Sequence, residues 1–427
     1  MSRTTTAEPK LGFQGAWSMA VGGMVGGGIF STLGVVVGIA GPLAWLSFVL
    51  AGVIALLAGY SYVKLAAAYG EGGGAFTFLR EVRQEELAGS LAWVLILGYI
   101  LTNAVYAFTF GEYIGHVLPM GDVGARLAAV AILLTFVVVN LRGTGEAGGV
   151  EVFLVWFKLV VLVGLAVFGL SRWDPQLLAR GVPEGDAGNA LLGAASVFMA
   201  YEGFQLLTYD YDDIDEPRRT LPRALLSAIV VVIAVYVAVA LGTPMLIGAD
   251  QVVEGKEVAL SIAGREALGV AGVAIVTVAA AFSTGSAINA TLFATARLSH
   301  EVASAGELPA ALEHRNRHGV PDRAVLSLGL LAALFATVGS LADLVESASL
   351  AFLVTFSVVS ALAFIERVGS RVLTAIGASG AAAAAVGLTV RLARNAPMAL
   401  ALFGAMVLLA VVGRPILLKH FRGPTQE

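Results

Sequence analysis

Long apolar runs separated by short polar stretches fill the chain from residue 12 to residue 418. A helix needs about 20 predominantly apolar residues to cross the hydrocarbon core of a bilayer. Twelve such runs can be placed, at roughly 12–39, 42–66, 88–117, 124–141, 150–171, 188–209, 221–247, 268–297, 323–339, 344–366, 372–392 and 395–418. We number them as spans 1 to 12. The longer polar connections, 67–87, 172–187, 248–267 and 298–322, leave no room for a soluble domain. The pattern predicts an all-α integral membrane protein forming a single membrane domain, 1–427.

Composition agrees. The chain is 58% hydrophobic and 13% charged, with a mean hydropathy of +0.86, whereas a soluble domain carries about 25% charged residues. Cysteine is absent, which removes disulfides, thiolate nucleophiles and cysteine-based zinc sites. The first apolar run is too long for a signal peptide and is read as a retained span. Lys and Arg then set the orientation. With an even number of spans both termini share a side, and 18 basic residues fall on or near it, from Arg3 and Lys10 to Lys419 and Arg422, against 7 on the other. Both termini are therefore expected in the cytoplasm, in a multi-pass protein of the cell membrane.

Span 1 has an anomaly at its midpoint. Of the thirteen residues in "GGMVGGGIFSTLG", 22–34, six are glycine, and each costs roughly 1 kcal/mol relative to alanine in a helix interior. Span 6 is also interrupted, at "AYEGF" with Gly203. Paired discontinuous helices at corresponding places in two halves point to an inverted-repeat transporter with its substrate site at the breaks. The expected repeats are about 12–171 and about 188–366, with helices 11–12, about 372–418, added. Unwound backbone survives in a membrane only where it faces protein or a cavity. The half-helix starting near Ile29 aims its N-terminal amides at the membrane centre, which suits a carboxylate. The carbonyls near Met24 and Val25 suit an ammonium or cation. The bland alternative is a packing face, since Gly22/Gly26 and Gly23/Gly27 are small-xxx-small pairs.

These segments resemble a known family. "VGGGIF" resembles span 1 of the amino acid–polyamine–organocation transporters, and "VFMAYEGFQ" followed by "DEPRRTLPRAL" resembles their span 6 and the turn into span 7. "NLRGTG" and "VWFKLVVL" resemble spans 4 and 5, and "FSTGSAINATLFATARLSHEVASAGELP" resembles span 8 and its loop. The similarity is greatest to the prokaryotic, proton-coupled, broad-range amino-acid transporters. The resemblance implies a LeuT-type fold of ten core helices in a 5+5 inverted repeat (spans 1–5 and 6–10), two extra helices, and alternating access. By the same resemblance the amides near Gly26, Gly27, Gly28 and Ile29 would hold a substrate carboxylate. The carbonyls of Met24, Met199, Ala200 and Glu202 would take its amino group. Gly203 and Phe204 would shape the pocket, and Tyr201 and Phe204 would contribute to gating.

Lys158 lies within "EVFLVWFKLVVLVG" of span 5. A charge at the bilayer centre costs roughly 2.5 kcal/mol or more and usually faces the bundle with a functional role. About eight residues, or 12 Å, separate it from the span end, which makes snorkelling to an interface hard. A buried lysine can release and regain a proton. In sodium-coupled relatives of the fold an ion bridges spans 1, 5 and 8; the resemblance implies that Lys158 puts an ammonium there instead, near Gly22 and Ser283. Glu202 departs from the family's well-known exchangers, which carry an apolar residue there and a carboxylate at the position of Gln205. It could attract a cationic side chain, carry a coupled proton, or brace the unwound backbone. The acidic run "DYDDIDEPRR" reads as a solvated cytoplasmic turn beside Arg218, Arg219 and Arg223, or as a gate network.

No catalytic motif appears, and the five histidines sit at span ends or in loops. The expectation is therefore a secondary transporter importing amino acids by proton symport with broad specificity, not an enzyme. It would need no cofactor or metal beyond an ion gradient, and its partners would be amino acids, protons and the lipid bilayer, without nucleic acid. A cationic amino-acid or polyamine carrier using Glu202, an amino-acid exchanger, and a transporter-like substrate sensor remain open at this point.

Overall fold

The computed structural model describes residues 10–118, 120–143 and 148–421. Arg3 and Arg422 of the charge distribution, and Thr144–Gly145 of the span 4 motif, lie outside them. Among the described residues the chain is helical, with an isolated β-bridge, Leu11 to Ile214, and no longer strand.

Span 1 is two helices, Phe13–Met24 and Gly28–Ala40, separated by three residues. Its second half runs through a tight turn at Gly41–Leu43 into span 2, Ala44–Tyr69. Spans 3, 4 and 5 are Glu85–Val117, Gly121–Leu141 and Gly148–Leu170. Span 6 is a helix, Ala187–Ser196, followed by short turns over Phe198–Tyr201 and Phe204–Thr208, with a bend of 60°. Spans 7, 8, 9, 10 and 11 are Pro217–Ile247, Val270–Ser304, Asp322–Val338, Leu341–Ile365 and Arg371–Asn395, and span 12 is Pro397–Lys419.

Among the described residues nine helices are long and apolar enough to cross a membrane, or ten with the bent span 6. The sequence expectation of twelve differs for physical reasons. The first half of span 1 has only 12 residues, its second half is continuous with span 2, and span 9 has 17 residues, about 26 Å of helix.

Span 5 illustrates how the core is built. Val155, Lys158, Leu162 and Ala166 are buried on one face, the i, i+3, i+4 spacing of a helix stripe. Phe153, Trp156, Val160 and Val167 are largely exposed on the other. Exposed apolar faces of this kind are what lipid covers. Lys158 thus sits on the stripe that faces protein. At the centre, Tyr62, Phe204 and Phe356 pack edge-on or tilted, with centroids 5.1–6.0 Å apart, binding spans 2, 6 and 10 together.

Candidate substrate and coupling site

The two breaks meet at glycine. A Cβ on Gly23 would lie 3.0 Å from the Gly203 carbonyl oxygen, and one on Gly203 only 2.4 Å from the Gly23 carbonyl carbon. Gly203 also has a φ of 115°, open to glycine at little cost. The neighbouring glycines are equally confined: Gly26 faces Ala287 of span 8, Gly27 faces the Tyr106 ring of span 3, and Gly28 faces Ala200 of span 6. The packing reading of the glycines therefore holds. Small residues let four spans converge, and the convergence leaves span 1 unwound.

Unwinding frees backbone groups that must find partners, and for span 1 those partners come from three other spans. Lys158 Nζ, fully buried, donates to the Gly22 carbonyl at 3.0 Å. The Ser283 hydroxyl of span 8 reaches both the Val25 and the Gly26 carbonyls, with one proton to share between them. The Tyr236 hydroxyl of span 7 stands 2.7 Å from the Met24 carbonyl and 3.0 Å from that of Ala200, with one proton to share between them. The Ile29 amide reaches the same hydroxyl oxygen. Past the break, the second half of span 1 begins at Gly28 with its first-turn amides pointing inward, and Ser31 and Thr32 hydroxyls close on the Gly27 and Gly28 carbonyls.

Span 6 is braced in the complementary way. Ser349 of span 10 donates to the Ser196 carbonyl at 2.9 Å and accepts from the Met199 amide at 3.0 Å. The Met199 carbonyl accepts from the Glu202 amide within a tight turn. Glu202 is buried, and both its oxygens are taken, one by the Tyr106 hydroxyl of span 3 and one by the Gln205 amide, each at 3.2 Å. Gln205 also donates to the Tyr99 hydroxyl and accepts from the Gly203 amide. Span 1 is thus held by spans 5, 8 and 7, and span 6 by spans 10, 3 and 7.

The residues singled out from sequence lie at or near the two breaks. Met24, Gly26, Gly27, Gly28, Ile29, Met199, Ala200, Glu202 and Gly203 surround the paired breaks, and Lys158, Gly22 and Ser283 lie just beside them. Tyr201 and Phe204, fully buried, lie toward spans 2, 7 and 10: the Tyr201 hydroxyl donates to the Phe48 carbonyl of span 2 and its ring is 5.2 Å from that of Tyr236, and Phe204 belongs to the aromatic cluster with Tyr62 and Phe356. Asn103 donates to its own helix at Tyr99, whereas Asn289 accepts from Asn140 of span 4.

Just before span 1, the Leu11 amide donates to the Asp213 carbonyl and the Asp215 amide to that of Leu11. Asp210 of the acidic run pairs with Arg297 of span 8 at 2.7 Å, not with the arginines next to it in sequence; Arg219 lies 3.7 Å from Glu216. At the other end a cavity of about 250 Å³, lined by Ser31, Gly34, Lys256, Glu257 and Ser340 among others, reaches to within one turn of Ile29.

Sequence reasoning missed Tyr236, Tyr106 and Ser349. Each is a hydroxyl in an apolar helix and gives no signal separable from ordinary core packing. Among the described residues no cluster of three or more His, Asp or Glu could hold a metal.

Comparison with known proteins fits this geometry. A family model described as amino acid permease matches residues 11–418. The chain is 31% identical to the inner membrane transport protein YbaT of Escherichia coli over 83% of each chain. It is 28% identical to the methylthioribose transporter of Bacillus subtilis over 82% of this chain and 79% of the relative. It is 24% identical to the serine/threonine exchanger SteT of Bacillus subtilis over 71% of this chain and 70% of the relative. These relatives are membrane transporters rather than enzymes. The chain belongs to the amino acid permease family of the amino acid–polyamine–organocation superfamily.

Proposed function

We propose that this permease imports amino acids by proton symport, recognising the α-amino and α-carboxyl groups more than the side chain, and that it works by alternating access in a cell membrane with both termini cytoplasmic. The observation that carries the reading is the Lys158 ammonium on the Gly22 carbonyl. It puts a titratable cation against the unwound segment, two residues from the Met24 carbonyl at the substrate site. Protonated Lys158 holds span 1 against span 5; the neutral amine donates more weakly and loosens that contact. The gradient of protons would supply the energy, with no cofactor.

The zwitterion fits the break in one orientation. Its carboxylate meets the amides of Gly28 and Ile29 at the positive end of the half-helix. Its ammonium takes the Met24 and Ala200 carbonyls, displacing the Tyr236 hydroxyl that satisfies them in its absence. Both oxygens of Glu202 are engaged by Tyr106 and Gln205, which supports a bracing role over selection of a cationic side chain. The reciprocal bracing of spans 1 and 6 by spans 5 and 8 and by spans 10 and 3 supports the repeat boundaries at about 12–171 and 188–366, because an inverted repeat exchanges those pairs.

The reading is tested with Lys158→Ala in proteoliposomes. The variant is expected to lose accumulation driven by a pH gradient while still exchanging internal for external amino acid. Wild-type accumulation in the variant would refute the coupling role of Lys158.

A further inference from the structure

Lys158 is sealed from solvent, so its proton needs a route, and the same helix offers one. Glu151 lies seven residues earlier on span 5, two turns and about 10 Å along the axis, at the end that the Lys and Arg distribution assigns to the cytoplasm. It is half-buried where Lys158 is fully buried. Its carboxylate occupies the space left by a missing side chain: a Cβ on Gly22 would lie 2.5 Å from Glu151 Oε1. Gly22 is also the residue whose carbonyl receives Lys158 Nζ at 3.0 Å. Both groups therefore touch one residue of span 1, and by ordinary backbone dimensions they are no more than about 9 Å apart. Lysine side chains on a helix lean toward its N-terminus, here toward Glu151. One or two waters bridge such a gap.

The surroundings isolate the pair. Span 5 packs against the first half of span 1, spans 7 and 8, and the helix Ala259–Leu268. The first of these, Phe13–Met24, carries no titratable side chain. Span 7 contributes Arg218, Arg219 and Arg223 at its inner end and Tyr236 at the break. Span 8 contributes Arg297, His300 and Glu301 at its inner end. Of these, Arg297 is held by Asp210, Arg219 by Glu216, and Glu301 accepts from Thr77. Arg265 and Glu266 of Ala259–Leu268 lie at the opposite end of span 5. Within span 5 itself the titratable side chains are Glu151 and Lys158.

Resting on the symport reading above, we propose that Glu151 is the proton acceptor through which Lys158 discharges to the cytoplasm. An N–H bond of the Lys158 ammonium breaks as an O–H bond forms on the Glu151 carboxylate, leaving a neutral amine and a neutral acid; the acid then releases the proton to cytoplasmic water and is again an anion. Gly22 is glycine because the carboxylate passes where a side chain would stand.

The test uses proteoliposomes of wild type, Glu151→Gln and Glu151→Asp, with a tritiated protein hydrolysate as substrate. Each is measured twice: for accumulation under an inward pH gradient of one unit, where coupling to one proton supplies about tenfold accumulation, and for exchange against preloaded amino acid without a gradient. Glu151→Gln is expected to reduce accumulation far more than exchange, and Glu151→Asp to restore accumulation with a displaced pH profile. Glu151→Gln accumulating like wild type overturns the proposal. So does a proportionate loss of accumulation and exchange, which marks a structural contact with span 1. Wild type without proton-driven accumulation overturns the symport reading, and this inference with it.

Discussion

A Cβ on Gly203 would stand 2.4 Å from the backbone of Gly23, at a φ of 115° that other residues rarely adopt. Backbone strain and overpacking each cost about 1–3 kcal/mol, so Gly203→Ala should destabilise by about 3 kcal/mol or more. Gly164, also in a spanning helix, has nothing within 4 Å of its would-be Cβ, and Gly164→Ala should be neutral or stabilise by up to about 1 kcal/mol. Thermal unfolding in detergent compares them; equal effects would contradict the close approach of the breaks. Tyr236 gives a second expectation. Tyr236→Phe leaves the Met24 and Ala200 carbonyls unpaired and should destabilise the substrate-free protein by about 1–3 kcal/mol. An added amino acid whose ammonium takes those carbonyls should then stabilise the variant more than it stabilises wild type, and an unchanged shift would place the ammonium elsewhere. At this scale Lys158 was legible because a lone lysine in an apolar run must turn its charge away from lipid and toward protein. Tyr236 and Tyr106 were not, because tyrosine in such a run reads as core. Glu151 falls where a span end and a buried carboxylate look alike.

Spans 1 and 6 could be located as broken because glycine weakens a helix by its own chemistry, whatever surrounds it. What satisfies the breaks depends on contacts between residues hundreds of positions apart, such as Ser283 with Val25, and sequence carries no mark of these. The same holds for Asp210, whose partner Arg297 lies on span 8 rather than in the adjacent basic run. Tertiary reach also joins buried Glu346 of span 10 to partly buried Arg391 of span 11, an ion pair at which Arg391 further donates to the Ser196 hydroxyl. With Ser349, it ties the first half of span 6 to spans 10 and 11. Removing one partner of a buried pair costs about 3–5 kcal/mol, whereas replacing both by apolar residues is often neutral. Arg391→Met should therefore lower the unfolding temperature sharply, and Glu346→Leu with Arg391→Met should recover most of the loss. Equal losses in single and double variants would show that the pair positions span 6 by more than charge balance.

Over the whole molecule, one segment of span 1 gathers hydrogen bonds from three other spans. Lys158 binds the Gly22 carbonyl, Tyr236 the Met24 carbonyl and Ser283 those of Val25 and Gly26. Spans 5, 7 and 8 thus all bond to residues 22–26. Leu11 pairs with the backbone at Asp213 and Asp215 at one end of span 1, and a cavity at Ser31 approaches the break from the other. Linkage requires reciprocity: if protonation favours the substrate-binding arrangement, substrate must favour protonation by the same factor. Substrate affinity measured at equilibrium should therefore rise as pH falls, and in Lys158→Ala should lose that dependence. The most direct measurement of coupling is uptake of a labelled amino-acid mixture into proteoliposomes under an inward proton gradient, an inward sodium gradient, or neither. Accumulation with the proton gradient alone is the predicted result. Accumulation driven by sodium, or uptake only into vesicles preloaded with amino acid, would contradict proton symport.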